Sequence, residues 1–137
     1  MKIVLDTNVL VSALLKRDSV PARLLRAVWD GTLQLLLSEP LREELAVVLE
    51  YPKIKKRLAA QSVDAGLFLK LLPFFVTTVD LQGVSVPRPR NADDWIVVAT
   101  LVAGQGDWLV SGDGDLLALA AQFPILTPAA FVERFLQ

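Results

Sequence analysis

The chain of 137 residues contains no cysteine and no histidine. Without a thiol there is no disulfide, no cysteine nucleophile and no cysteine-ligated zinc or iron–sulfur cluster. Without an imidazole there is no Ser-His-Asp triad, no histidine proton shuttle and no histidine-bound metal. Long apolar runs are missing as well. The longest largely apolar stretches, Val9 to Leu15 and Ile96 to Ala103, fall short of the roughly 18 residues that would suggest a membrane span. Nor does the N-terminus read as a secretory signal, because Asp6 follows only a short apolar run. A cytoplasmic protein with no membrane partner is the expectation. The tools left for chemistry are carboxylates, hydroxyls, amides and basic side chains, with any metal restricted to a hard cation that oxygen ligands can hold.

Apolar material is plentiful, at 53% of residues, and the length suits a single domain over 1–137 built on one core. The net charge of −1 conceals an asymmetry. Residues 1 to 57 carry ten basic and seven acidic side chains, whereas residues 91 to 137 carry one basic and six acidic. Asp93, Asp94, Asp107, Asp113 and Asp115 therefore lie in a stretch with no local counter-charge, so they are solvated or something else neutralises them.

Periodicity divides the chain into alternating strands and helices. An apolar strand from Met1 to Leu5 ends at Asp6, a polar Thr7-Asn8 loop follows, and a buried helix begins at Val9. A helical pattern from Pro21 runs to Gly31, and Leu33 to Leu37 reads as a second buried strand. Ser38-Glu39-Pro40 opens a helix through Leu49 that stops near Tyr51-Pro52, since the residue before proline avoids helical geometry. Lys53 to Arg57 forms a basic cluster. Beyond it come a helix over about 62–72, a strand near 75–79, a Gly/Pro-rich link through Pro89 and a helix from Asp94 to Ala103. A strand at 108–110, a polar turn at 111–115, a helix at 116–122, a strand at 125–126 and a helix at 129–136 complete the chain. Such alternation predicts an α/β/α sandwich in three layers with a mainly parallel sheet and right-handed crossovers. Sites in such sheets form at the carboxyl ends of the strands, where Asp6 and Asp113 fall.

Helical geometry then identifies acids that face inward. At about 100° per residue, with Leu41 at zero, Glu44 lies at about 300°, beside the stripe of Leu41, Leu45 and Val48, while Glu43 and Glu50 face away. In the helix after Asp94, Val98 and Leu101 fall within about 40° of that aspartate. Taken singly, Asp94 is explained as a helix cap and Glu44 as a boundary charge. Taken together, Asp6, Glu44, Asp94 and Asp113 are four acids directed to one edge of the sheet, and four gathered carboxylates repel. A divalent cation relieves that repulsion; Mg²⁺ binds through a few carboxylates while keeping several waters. One or two such ions would activate water against a phosphodiester without histidine. Glycoside hydrolysis needs only two carboxylates, and a covalent phosphoryl carrier at Asp6 leaves the other three unexplained.

These motifs, Ile3-Val4-Leu5-Asp6-Thr7-Asn8-Val9, Ser38 with Leu41 and Glu44-Leu45, Asp93-Asp94 leading into Val97-Val98-Ala99, and Val110-Ser111-Gly112-Asp113-Gly114-Asp115-Leu116-Leu117, together resemble the PIN-domain family. The arrangement is most similar to its small toxin-like members, and the resemblance spans essentially the whole chain. It implies an α/β/α fold and a ribonuclease site using Mg²⁺ or Mn²⁺, in a protein held inactive by a small antitoxin. Asp6, Glu44, Asp94 and Asp113 match the family's four metal-binding acids in order. Asn8 and Ser111 match polar positions that support them, and Asp115 is an acidic neighbour expected to cap the next helix. Asp93 is the ambiguous residue; in a helix starting at Asp94 it would lie one residue outside.

Candidate RNA contacts are Lys16, Arg17, Lys53, Lys55, Lys56 and Arg57, with Arg88 and Arg90 as a second cluster, because basic side chains supply sequence-independent affinity for phosphates. A solvated helix end explains the same run. Trp29, Trp95 and Trp108 are expected to pack rather than stack on bases. Gly112 and Gly114 lack the third glycine of a dinucleotide fingerprint. The competing function is a PIN-like module that binds RNA or protein without catalysis, and the apolar composition leaves room for a homodimer or antitoxin interface.

Overall fold

A computed structural model describes residues 1–86 and 92–136. Five strands, β1 (Lys2–Leu5), β2 (Gln34–Ser38), β3 (Val76–Val79), β4 (Trp108–Val110) and β5 (Ile125–Leu126), form one sheet in the order β3-β2-β1-β4-β5. Every adjacent pair is parallel, with Ile3 opposite both Leu35 and Trp108. Eight helices flank the sheet among the described residues: α1 (Thr7–Leu15), α2 (Val20–Trp29), α3 (Glu39–Leu49), α4 (Pro52–Ala60), α5 (Ala65–Leu71), α6 (Ala92–Ala103), α7 (Gly114–Leu117) and α8 (Pro128–Phe135). The expected α/β/α sandwich with a parallel sheet is the fold.

The central strands need cover on both faces, and their sequences supply it. Ile3, Val4 and Leu5 of β1 and Leu35, Leu36 and Leu37 of β2 are all buried, the continuous apolar pattern of strands sandwiched between helices. Helix α6 crosses β1, β2 and β4 and also packs on α3. Two glycines permit the close approach at its end: a Cβ on Gly104 would lie 2.7 Å from Leu36 Cδ1, and one on Gly106 would lie 2.9 Å from Leu101 Cδ1. Helix starts are capped by side chains at Ser19, Ser38, Asp64 and Thr127, satisfying amides that have no partner in the helix.

Several boundaries differ from expectation. Helix α1 starts at Thr7, so the short Thr7-Asn8 loop is already helical. The basic cluster lies in α4, which was not expected as a helix; Pro52 at its first position fixes a helical φ while losing no bond. Helix α6 begins at Ala92, so Asp93 lies inside it and Asp94 occupies its first turn instead of its cap. The helix expected at 116–122 is the single turn α7, and its cap is Asp113, whose carboxylate accepts the Asp115 N–H at 3.1 Å; Asp115 is therefore not the cap. Trp29 packs edge-on against Phe68 and Phe75, and Trp108 lies against Phe135 and beneath the Arg134 guanidinium. Both are packing residues as expected, and Trp95 is half-buried.

Candidate active site

Strands β1 and β4 are neighbours in register, Leu5 opposite Val110, so the residues that follow them emerge side by side at the carboxyl edge. Asp6 stands at the cap position of α1, yet its side chain makes no capping bond. Its carboxylate turns instead to β4, where Ser111 Oγ donates to Asp6 Oδ2 at 2.9 Å. The same hydroxyl accepts the Asp113 N–H at 3.0 Å, so one buried serine ties the first acid to the loop that presents the fourth. The structure also brings Asp94 to this place from α6, near enough that the Asp113 carboxylate influences its protonation. Glu44 approaches from α3, half-buried beside Asp93 and Thr7.

Electrostatics express this proximity. Burial raises the Asp94 pKa to about 6 from 3.8, with the charges of Asp113, Asp6 and Asp115 adding to the shift. Burial likewise pushes Asp6 up, opposed by its bonds to Ser111 and the Thr7 N–H and reinforced by Asp113 and Asp93. Glu44 is raised by burial and then by the charge of Asp93, the Thr7 hydroxyl drawing it partly back. Among the described residues no basic group figures in the causes of these three shifts.

Thr7 is the residue that sequence reasoning passed over. It is buried, and neither its Oγ1 nor Glu44 Oε2 has a hydrogen-bond partner of ordinary geometry among the described residues. Buried oxygens without partners are costly; the Asp-Thr-Asn triplet at the end of β1 is the only sequence signal for the hydroxyl. Among the described residues no three acids close into a ready chelate. The donor set is nonetheless all oxygen and partly orphaned, which fits a hard divalent cation that keeps several of its waters.

Around the acids the remaining candidates divide. Asn8 and Asp93 are exposed and share with Glu44 one end of an open groove of about 840 Å³. Arg57 lines the other end, and Lys16 joins it in an adjoining cleft of about 400 Å³. Lys55 is paired with Glu50 at 3.1 Å. Arg17, Lys53 and Lys56 are exposed and line neither space. Arg88 and Arg90 fall outside the described residues.

A parallel α/β sheet with clustered acids at its carboxyl edge defines a class of hydrolase-type sites. Comparison with known proteins narrows it: residues 2–115 match the PIN domain, and the chain belongs to that family. PIN domains are in general metal-dependent nucleases that act on RNA. An uncharacterized protein of Methanocaldococcus jannaschii is similar along its length, 24% identical over 147 aligned positions that cover 98% of this chain and 92% of that protein. No solved structure matches the chain. Among the described residues no helix is long and apolar enough to cross a membrane.

Proposed function

We propose that the protein is a metal-dependent endoribonuclease, with Asp6, Glu44, Asp94 and Asp113 as its metal-binding and catalytic acids. The observation that carries this is the meeting of Asp6, Asp94 and Asp113 at one sheet edge, with raised pKa values at Asp6 and Asp94 and no basic group of the described residues among their causes. Ordinary structural carboxylates are paired, capping or solvated; Asp113 caps α7, whereas Asp6 lies buried at a strand end and Asp94 buried on an inward helix face. When bound, Mg²⁺ or Mn²⁺, as one or two ions, would polarise the scissile phosphate and lower the pKa of a water.

The chain's own residues prepare that site. Ser111 holds the Asp6 carboxylate by one oxygen, Oδ2. Thr7 Oγ1 and Glu44 Oε2 are buried oxygens that no hydrogen bond of ordinary geometry occupies among the described residues. With its pKa raised to about 6, Asp94 keeps its proton in mildly acidic solution, so a cation binding there competes with that proton. Asp93 and Asp115 deepen the negative potential from the rim, and Asn8 offers a polar group at the mouth of the groove. Lys16 and Arg57 are positioned to attract the polyanionic strand.

The toxin-like pattern of the motifs supports a role as the toxin of a toxin-antitoxin pair, acting in the cytoplasm and restrained by a small antitoxin. Exposed Leu67, Leu71, Phe74 and Phe75 near edge strand β3 support a homodimer contact.

The test is incubation of wild-type and Asp94→Asn protein with a pool of single-stranded and structured RNA, in Mn²⁺ or Mg²⁺ and in chelator. Cleavage that needs metal and disappears in the variant is expected. RNA binding without turnover in any metal would instead favour the non-catalytic PIN-like module.

A further inference from the structure

The groove that begins at Glu44 and Asp93 does not end with the acids. It continues between α1, α3 and α4 over Val11, Val48 and Ile54 to Tyr51 and Arg57. The Tyr51 backbone is fixed on both sides, its N–H donating to the Val48 carbonyl and its own carbonyl accepting from Lys55. Its side chain is left open: the residue is 52% exposed, and among the described residues its ring meets no other aromatic group. An anchored aromatic ring beside an apolar wall is a stacking surface without a partner.

Arg57 stands one helical turn from Ile54 on the groove side of α4, and it lines both the main groove and the adjoining cleft with Lys16. No carboxylate among the described residues pairs with it, in contrast to Lys55. A nucleic-acid strand whose scissile phosphate lies at the acids needs a cation further along, because the acids themselves repel its backbone.

We propose that this groove holds an unpaired nucleobase flanking the cleavage point, with Tyr51 as its stacking face and Arg57 as the anchor for the neighbouring phosphate. The assignment rests on the ribonuclease reading and adds a substrate form to it: the RNA must be single-stranded where it crosses Tyr51, since a base in a duplex is already stacked. The charge of Arg57 and the open apolar wall match a nucleotide, which is apolar on its base faces and anionic along its backbone.

Binding in chelator separates this from catalysis. The probe is a short fluorescein-labelled single-stranded RNA of mixed sequence, read by anisotropy, with the same RNA annealed to its complement as competitor. Wild-type protein is expected to prefer the single strand. Tyr51→Ala should weaken that binding by about five-fold or more, as expected for loss of one stacked base, while Tyr51→Phe keeps it. Arg57→Gln should reduce the slope of log affinity against log salt by about 0.7, the loss of one phosphate contact. Absence of binding, equal competition by duplex, or indifference to Tyr51→Ala each overturns the proposal. If Tyr51→Ala instead converts a dimer to a monomer in light scattering with RNA affinity unchanged, the groove belongs to a second copy and the proposal fails. Metal-dependent cleavage with binding indifferent to Tyr51 and Arg57 sinks the groove alone. Tyr51-dependent binding without cleavage in any metal sinks the nuclease and leaves the groove.

Discussion

Ser111 Oγ donates to Asp6 Oδ2 at 2.9 Å, and this bond joins the ends of two adjacent strands at the point where the acids gather. Ser111 is fully buried, so nothing replaces its hydroxyl when it is removed. Ser111→Ala leaves Asp6 with a buried oxygen lacking its donor and frees the Asp113 N–H as well. The expected cost is about 1–3 kcal/mol, seen as a lower urea midpoint with an unchanged slope. An unaltered midpoint would show that water serves Asp6 equally well.

Asp94→Asn separates stability from activity. The folded protein holds the Asp94 proton up to about pH 6, whereas the ordinary value is 3.8. Between those values the native state binds more protons than the unfolded chain, so stability from this group falls as pH rises and levels off above about 6. Asp6 and Glu44, also raised, act in the same direction. In chelator the melting temperature of the wild type should therefore rise on acidification from pH 7 towards 5. Asn at position 94 should raise it at pH 7, by roughly 3–5 °C for each kcal/mol relieved, and should flatten the pH dependence. A variant less stable than wild type at neutral pH would contradict a destabilising buried charge at Asp94.

Metal should act on the same charges from outside. Mn²⁺ or Mg²⁺ is expected to raise the melting temperature at pH 7, more as its concentration climbs above Kd, because it binds the folded state alone. The shift should shrink at pH 5, where protons compete for Asp94, and in Asp6→Asn and Asp94→Asn. Differential scanning fluorimetry across metal concentrations measures all three. A shift of the same size in both variants would place the ion elsewhere.

Strand alternation was legible because β1 and β2 are buried on both faces and their apolar runs are unbroken, and Glu44 and Asp94 were legible because helical spacing places an acid beside a stripe of leucine and valine. What the pattern concealed is local. Asp93 and Asp94 are adjacent, and only the start of α6 at Ala92 decides that both are helical. Helix α4 carries four basic residues and one proline, a composition that reads as a solvated run, although Ile54 and Leu58 anchor one face of it. Thr7 resembles any residue of a polar turn; its importance arises from burial beside Glu44, a contact made across the fold between α1 and α3. Single-residue spacing cannot express a relationship of that kind.

The position of Asp94 also depends on the far end of its helix. Gly104 follows α6 where it crosses β2, and a Cβ there would lie 2.7 Å from Leu36 Cδ1, 2.9 Å from Val79 Cγ2 and 3.1 Å from the Thr100 carbonyl. Leu36 and Val79 are both buried, so neither yields without displacing the core around it. Gly104→Ala should therefore cost about 1–3 kcal/mol through overpacking. A double-mutant cycle with Leu36→Ala tests the cause: relief of the clash predicts a pair less destabilised than the two single variants added together. Strict additivity would mean that α6 already has room for the methyl group. With the clash real, the helix must shift away from β2, and Gly104→Ala should also weaken the metal-induced rise in melting temperature by moving Asp94 from Asp6 and Asp113.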